Sequence, residues 1–329
     1  MELKFNSCGD YTEVECTSKP PGAFRIVMIG TSFAMGDGVR REQTFAALLP
    51  KELSRLTGRE IQLYNESLPR ISAHDWALRF NQVTAAKPDM VLWVFNYADV
   101  RIASITEPSQ DVPDGPPKPF PGQSVGGQDA PPVSSALARL RGQVSSAASS
   151  FVHKINDVWR DTHSFVLLTH LIGVTESQSQ FLARNRTGEA QYLNATPSQA
   201  RLRHLKDLDG YARDVLDRAR AAGVPVVAVF LPTRIQVAMI SNGKWQPDLD
   251  PYELDNELRT IIVSHGGTYI DILPDIRTVP APERGFFPAD GHPNPEGHLM
   301  ISNLLARELT DGAVSALRVN RTQAALERR

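Results

Sequence analysis

The sequence predicts a doubly wound α/β fold, a parallel sheet with helices on both faces. Three observations carry that expectation. Short, uninterrupted apolar runs recur along the chain, as buried parallel strands require. Stretches with apolar residues at helical spacing separate them. The two kinds of segment alternate as strand, helix, strand, helix, strand, the order that builds βαβ units.

Phe24 to Gly30 (FRIVMIG) is the first run and follows the Lys19-Pro20-Pro21-Gly22 break. Thr44 to Leu56 places Phe45, Leu48, Leu49, Leu53 and Leu56 on one stripe and stops near Gly58, so it predicts a helix. Ile61 to Asn65 is the second strand. His74 to Ala86 is a helix closed by Lys87-Pro88, and Asp89 to Phe95 (DMVLWVF) is the third strand. From Ile105 to Val133 prolines and glycines crowd in without periodicity, which predicts a long loop over one face. A helical pattern returns from Ser134 to about Leu171, with Phe151, Ile155, Val158 and Trp159 on one stripe. Residues 105–200 together read as a loop and helical insertion, or lid.

Beyond it, 199–222 is an amphipathic helix ending at Ala221-Ala222-Gly223, and Pro225 to Leu231 (PVVAVFL) is a strand. Asp255 to Ser264 is helical, Gly267 to Ile272 is a short last strand, and Asn294 to Leu309 is the closing helix. The chain thus divides into an irregular leader (1–23), one α/β domain (24–315) and a basic tail (316–329), with no internal repeat. Trp93, Phe95 and Phe230 read as core. Arg139, Arg141 and the tail arginines from Arg318 to Arg329 read as solvated faces.

Composition narrows the function. The 329 residues are 41% hydrophobic and 22% charged, the balance of a globular protein with a sizeable core. A formal charge of -2 gives no global field for nucleic acid or an anionic membrane, so neither is expected as a partner. No stretch approaches the roughly 18 apolar residues that span a bilayer, and no integral membrane segment is expected. The N-terminal residues show no basic region followed by an apolar run, so no signal peptide is expected in them. That points to the cytoplasm, whereas the polar, cut-off-looking start suits an extracytoplasmic domain of a longer protein; both locations stay open. The two cysteines, Cys8 and Cys16, either close a short loop in an oxidising compartment or stand as free thiols.

His153, His163, His170, His204 and His265 are scattered without metal-ligand spacing, and two cysteines are too few for a zinc site, so no metal is expected. The Gly30 to Gly38 stretch lacks both the lysine of a phosphate-binding loop and the dinucleotide glycine spacing, so no organic cofactor is expected either.

Two segments carry chemistry. Gly30-Thr31-Ser32-Phe33-Ala34-Met35-Gly36-Asp37-Gly38 lies where the first strand ends, and open α/β sheets gather functional groups at carboxyl ends of strands. Near the C-terminus stands Phe286-Phe287-Pro288-Ala289-Asp290-Gly291-His292-Pro293-Asn294-Pro295-Glu296-Gly297-His298. A histidine two residues after an aspartate, on a Pro/Gly turn opening a helix, is suited to general-base work, with the carboxylate orienting the imidazole.

Together these segments resemble the SGNH/GDSL hydrolases over most of residues 24–310. The family's first block, Gly-Asp-Ser with a glycine-containing turn, is matched by Gly30-Thr31-Ser32 with Gly36 and Gly38. Its bacterial last block, Asp-Gly-His-x-Asn-x-x-Gly-His, is matched by Asp290 to His298. The resemblance implies a three-layer, flavodoxin-like domain in which Ser32 is the nucleophile, His292 the base and Asp290 the orienting acid. The family usually leaves two residues between that Asp and His; this chain leaves one.

The middle blocks depart further. Asn65-Glu66-Ser67-Leu68-Pro69-Arg70 has arginine where the family has the glycine whose N–H enters the oxyanion hole. Asn96-Tyr97-Ala98-Asp99 has alanine where an asparagine amide joins the same hole. The expected donors are therefore Ser32, Arg70 and Asn96. Three readings stay open: Asn96 replaces the lost amide, Arg70 supplies charge, or the hole is weakened. The implied function is hydrolysis of short-chain or acetyl esters, on a small molecule or a glycan, through an acyl-enzyme. An O-acetyltransferase or deacetylase of polysaccharide, and a non-catalytic binder of glycan or lipid, are the alternatives.

Overall fold

The computed structural model describes Asn6 and residues 19–101, 188–288 and 291–319. The two cysteines, the expected helical pattern over Ser134 to Leu171, Asp290 and most of the basic tail lie outside these residues. The chain divides into two compact units, Met1–Pro108 with Ser177–Arg329, and Ser109–Glu176. All described residues belong to the first.

Its centre is a five-stranded sheet in the order β2-β1-β3-β4-β5, every pair parallel. The strands are β1 (Phe24–Gly30), β2 (Ile61–Asn65), β3 (Met90–Phe95), β4 (Val226–Phe230) and β5 (Thr268–Ile270). Side chains of β1 to β4 are buried on both faces, which is why β3 and β4 run apolar without alternation and β1 does so apart from Arg25, while β2 also buries Gln62 and Asn65. β2 and β5 are the two edges, and β5 is the shorter and less buried of them.

The helices are α1 (Ser32–Met35), α2 (Phe45–Thr57), α3 (Ala73–Ala85), α4 (Tyr97–Arg101), α5 (Gln199–Ala221), α6 (Arg234–Asn242), α7 (Glu253–Ser264) and α8 (Pro295–Glu308). From β1 the chain crosses one way to β2, then back over β1 to β3. Right-handed crossovers in opposite directions put their helices on opposite faces. Accordingly α2 packs against α8, whereas α3 packs against α5 and α5 against α7. The doubly wound α/β architecture read from the sequence is the one observed, and the expected strands and helices that lie among the described residues fall within two residues of the structure.

Two features follow from this topology. The winding reverses between β1 and β3, the switch point outside whose carboxyl strand ends an open α/β sheet places its crevice. Gly30 pairs with Val94 there, and a Cβ on Gly30 would lie 2.7 Å from both the Val94 carbonyl and Ala34. Only glycine lets the first turn leave the sheet this tightly.

Candidate active site

Ser32 is the first residue of α1, immediately beyond β1. The turn that follows it is tight: Gly36 N–H and Asp37 N–H both donate to the Ser32 carbonyl, at 2.9 and 3.1 Å. Gly36 has φ 88° and Gly38 φ 89°, and a side chain at Gly36 would collide with Thr44. The glycines flanking the serine are thus needed for backbone shape.

His292 reaches the site from the other end of the chain. Phe286 and Pro293 form an isolated antiparallel bridge. Between them Phe287 N–H donates to the His292 carbonyl at 2.8 Å and Gly291 N–H to the Phe287 carbonyl at 2.9 Å. Asn294 caps α8, its side chain accepting from Glu296 and Gly297 N–H, and Pro295 begins the helix. Held in this way, His292 Nε2 lies 2.9 Å from Ser32 Oγ, and its ring packs on Phe33 with centroids 4.8 Å apart. Both residues are half-buried, open enough for a substrate and dry enough to strengthen their interaction.

His298, one helical turn into α8, is fully buried. Its Nδ1 accepts from Phe45 N–H, the first residue of α2, at 3.2 Å, and its ring stacks on Phe45 at 5.6 Å. The imidazole therefore caps α2 and ties it to α8. Burial, with a smaller push from His292, lowers its pKa to about 4, so it is neutral at pH 7. Accepting at Nδ1 puts the proton on Nε2, which has no hydrogen-bond partner among the described residues.

Around the crevice the middle segments are tied to the serine turn. Asn65 Nδ2 donates to the Ala34 carbonyl at 3.0 Å, while its Oδ1 accepts from Ser67 N–H at 3.0 Å. Leu68 N–H donates to the Gly30 carbonyl at 3.2 Å. Arg70 is exposed and has φ 60°, the left-handed conformation that glycine adopts most readily.

On the β3 side Asn96, one of the expected oxyanion donors, is tied to the serine turn. Its Nδ2 donates to Thr31 Oγ1 at 2.7 Å and its Oδ1 accepts from Ala98 N–H at 2.7 Å. Asp99 closes the arrangement, accepting at Oδ2 from Asn96 N–H at 2.7 Å and from Thr31 Oγ1 at 3.3 Å. Burial pushes the Asp99 carboxyl up to about 7, opposed by the Asn96 N–H and the Thr31 hydroxyl. Sequence reasoning missed Thr31 and Asp99; an Asn and an Asp just past an apolar strand were the available signal. Asp290 lies outside the described residues.

Among the described residues no group of three or more His, Cys, Asp or Glu side chains is placed to share a metal ion, and no helix is long and apolar enough to cross a membrane.

No family model matches the chain, and no curated protein does. Solved structures do. A catalytic mutant of Axe2, an acetylxylan esterase from Geobacillus stearothermophilus, is 12% identical, with 87% of this chain and 94% of that one covered at a TM-score of 0.44. TesA is 14% identical over 87% and 97% of the two chains, with a TM-score of 0.43. The lipase/acylhydrolase from Enterococcus faecalis is 14% identical over 87% and 95%, with a TM-score of 0.41. What the site can do chemically is carried by its own side chains.

Proposed function

We propose that this protein is a serine ester hydrolase acting by acyl transfer. One observation carries the proposal: a serine just past β1 and a histidine 260 positions later meet with Nε2 2.9 Å from Oγ. That is the reach a general base needs to take the hydroxyl proton. Ser32 Oγ attacks the ester carbonyl carbon as His292 takes its proton. The tetrahedral intermediate collapses, His292 protonates the departing alcohol, and the acyl group stays on Ser32. Water, deprotonated by His292, then releases the acid and restores the serine.

Asp290, two residues before His292, is the carboxylate we assign to orient the imidazole and stabilise its cation. The oxyanion donors we assign are the backbone N–H groups of Ser32 and Arg70. The left-handed backbone at Arg70 supports its inclusion, since it keeps the course a glycine would give. The substrate class we assign is a short-chain or acetyl ester of a small molecule or glycan, which follows the family resemblance.

A fluorophosphonate probe tests the reading without a chosen substrate. One probe per chain is expected on Ser32, and Ser32→Ala, folded to the same melting temperature, takes none. His292→Ala slows labelling on the order of 1000-fold and Asp290→Ala distinctly less. A folded, unsubstituted chain that leaves Ser32 unlabelled overturns the hydrolase reading in favour of a binding protein.

A further inference from the structure

We infer that Thr31 is a positioning residue, which fixes the turn carrying Ser32 to the end of β3 through a closed, buried ring of hydrogen bonds with Asn96 and Asp99. The inference rests on the reading of Ser32 as nucleophile.

The ring is complete in itself. Thr31 Oγ1 accepts from Asn96 Nδ2 at 2.7 Å and donates to Asp99 Oδ2 at 3.3 Å. Asp99 Oδ2 also accepts from Asn96 N–H at 2.7 Å, and Ala98 N–H returns to Asn96 Oδ1 at 2.7 Å. Thr31 is 2% exposed and Asn96 and Asp99 are each 1% exposed, so water has no access to replace a missing member. Around the hydroxyl each partner has one role: an amide gives, a carboxyl receives.

The geometry of Thr31 shows what the ring does beyond satisfying core groups. Thr31 is the N-cap of α1, where a threonine hydroxyl ordinarily accepts from the helix's own first N–H groups. Here it makes no such bond; it reaches across to the end of β3 instead. A β-branched side chain has few χ1 rotamers, and two bonds in opposite directions hold this one. Thr31 is joined to Ser32 by one peptide bond, so holding Thr31 against β3 sets where Ser32 Oγ points relative to His292 Nε2. The chain lacks an asparagine at Ala98, and its remaining amide, on Asn96, acts here through the serine's neighbour.

Thr31→Val keeps the branched shape and removes the hydroxyl. It leaves Asn96 Nδ2 and the Asp99 carboxyl without that partner in a dry site, and a misplacement near 1 Å at a reacting atom costs up to about 100-fold. The experiment follows covalent labelling of Ser32 by a fluorophosphonate, separating its maximal rate from its half-saturating concentration. In Thr31→Val the maximal rate is expected to fall about 30-fold, with half-saturation within about twofold. Thr31→Ser, which restores the hydroxyl, returns the rate to within about threefold of the unsubstituted chain. A role in stability alone lowers the melting temperature and leaves the maximal rate unmoved, and that result overturns the inference. So does a Thr31→Ser variant as slow as Thr31→Val. If Thr31→Val does not fold, Thr31→Ala reads the same loss, expected at fivefold or more, and a rate equal to the unsubstituted chain's overturns the inference. An unsubstituted chain that takes no label at Ser32 removes the nucleophile reading, and this inference with it.

Discussion

Arg70 holds φ 60°, a conformation that costs a residue with a Cβ roughly 1–2 kcal/mol. Two explanations compete for an arginine kept there: the guanidinium serves the oxyanion, or only the backbone N–H does. Arg70→Gly separates them, because it preserves the N–H and deletes the charge. The side chain is exposed, so the backbone explanation is favoured and kcat on a simple acetate ester is expected to stay within about threefold. Stability changes little, since the relieved strain is offset by the greater unfolded-state freedom of glycine. A 100-fold fall in kcat assigns the guanidinium to the transition state instead. Ala98→Asn is the complementary change. Should the hole lack a donor, a new amide raises kcat by about tenfold with KM little altered, because it acts on charge that develops only in the transition state.

At the scale of elements, α8 decides where His292 sits. A Cβ on Gly297 would collide with the Gly285 carbonyl, so the helix start is seated directly on the turn that precedes the His292 loop. Asn294 N–H donates to that same carbonyl at 2.9 Å. Gly297→Ala forces the two apart, and a loss of about 2–4 kcal/mol in urea unfolding is expected, of the size seen when a tight core contact is overfilled. Slower probe labelling of Ser32 should accompany it; an unchanged stability would show that the turn yields freely. Elements of this kind were legible to different degrees. The strands β1, β3 and β4 announce themselves as apolar runs because both faces are covered, and α2, α3, α5 and α8 as helical stripes because one face is. α6 went unread: Ile235, Gln236, Val237, Ala238, Met239 and Ile240 are all buried, so no polar stripe marks its period. Ser32 and His292 stood out because glycine, proline and asparagine punctuate the turns around them. The Thr31–Asn96–Asp99 ring did not, because its partners are 65 and 68 positions apart and only the sheet's winding brings them together.

The whole molecule carries buried titrating groups of opposite sense, and acid stability reads them. Burial lowers the His298 pKa from 6.5 to about 4. Between those values the unfolded chain holds a proton that the folded one refuses, so this residue's contribution to stability is lost as pH falls from 6.5 toward 4. Asp255 is the reverse case: burial, aided by the nearby Asp271 charge, raises its pKa from 3.8 to about 7. Its carboxyl, which accepts from Tyr269 at 2.6 Å, stays protonated in the fold at pH values where the unfolded chain has already ionised. That contribution is full below pH 3.8 and is lost as pH rises through 7. Asp99 titrates in the same sense as Asp255, with a pKa near 7, so between pH 4 and 6.5 two protons are taken up on folding at these sites against one released. Paired variants isolate each effect. His298→Asn retains an acceptor for Phe45 N–H and cannot be charged. The stability of the unsubstituted chain relative to this variant, measured in urea, should fall by roughly 3 kcal/mol from pH 7 to pH 4. Against Asp255→Asn, the unsubstituted chain should instead gain relative stability over the same interval. Parallel curves for the unsubstituted chain and His298→Asn would mean that the buried imidazole takes up its proton as readily as in the unfolded chain, and that losing its acceptor for Phe45 N–H costs no stability.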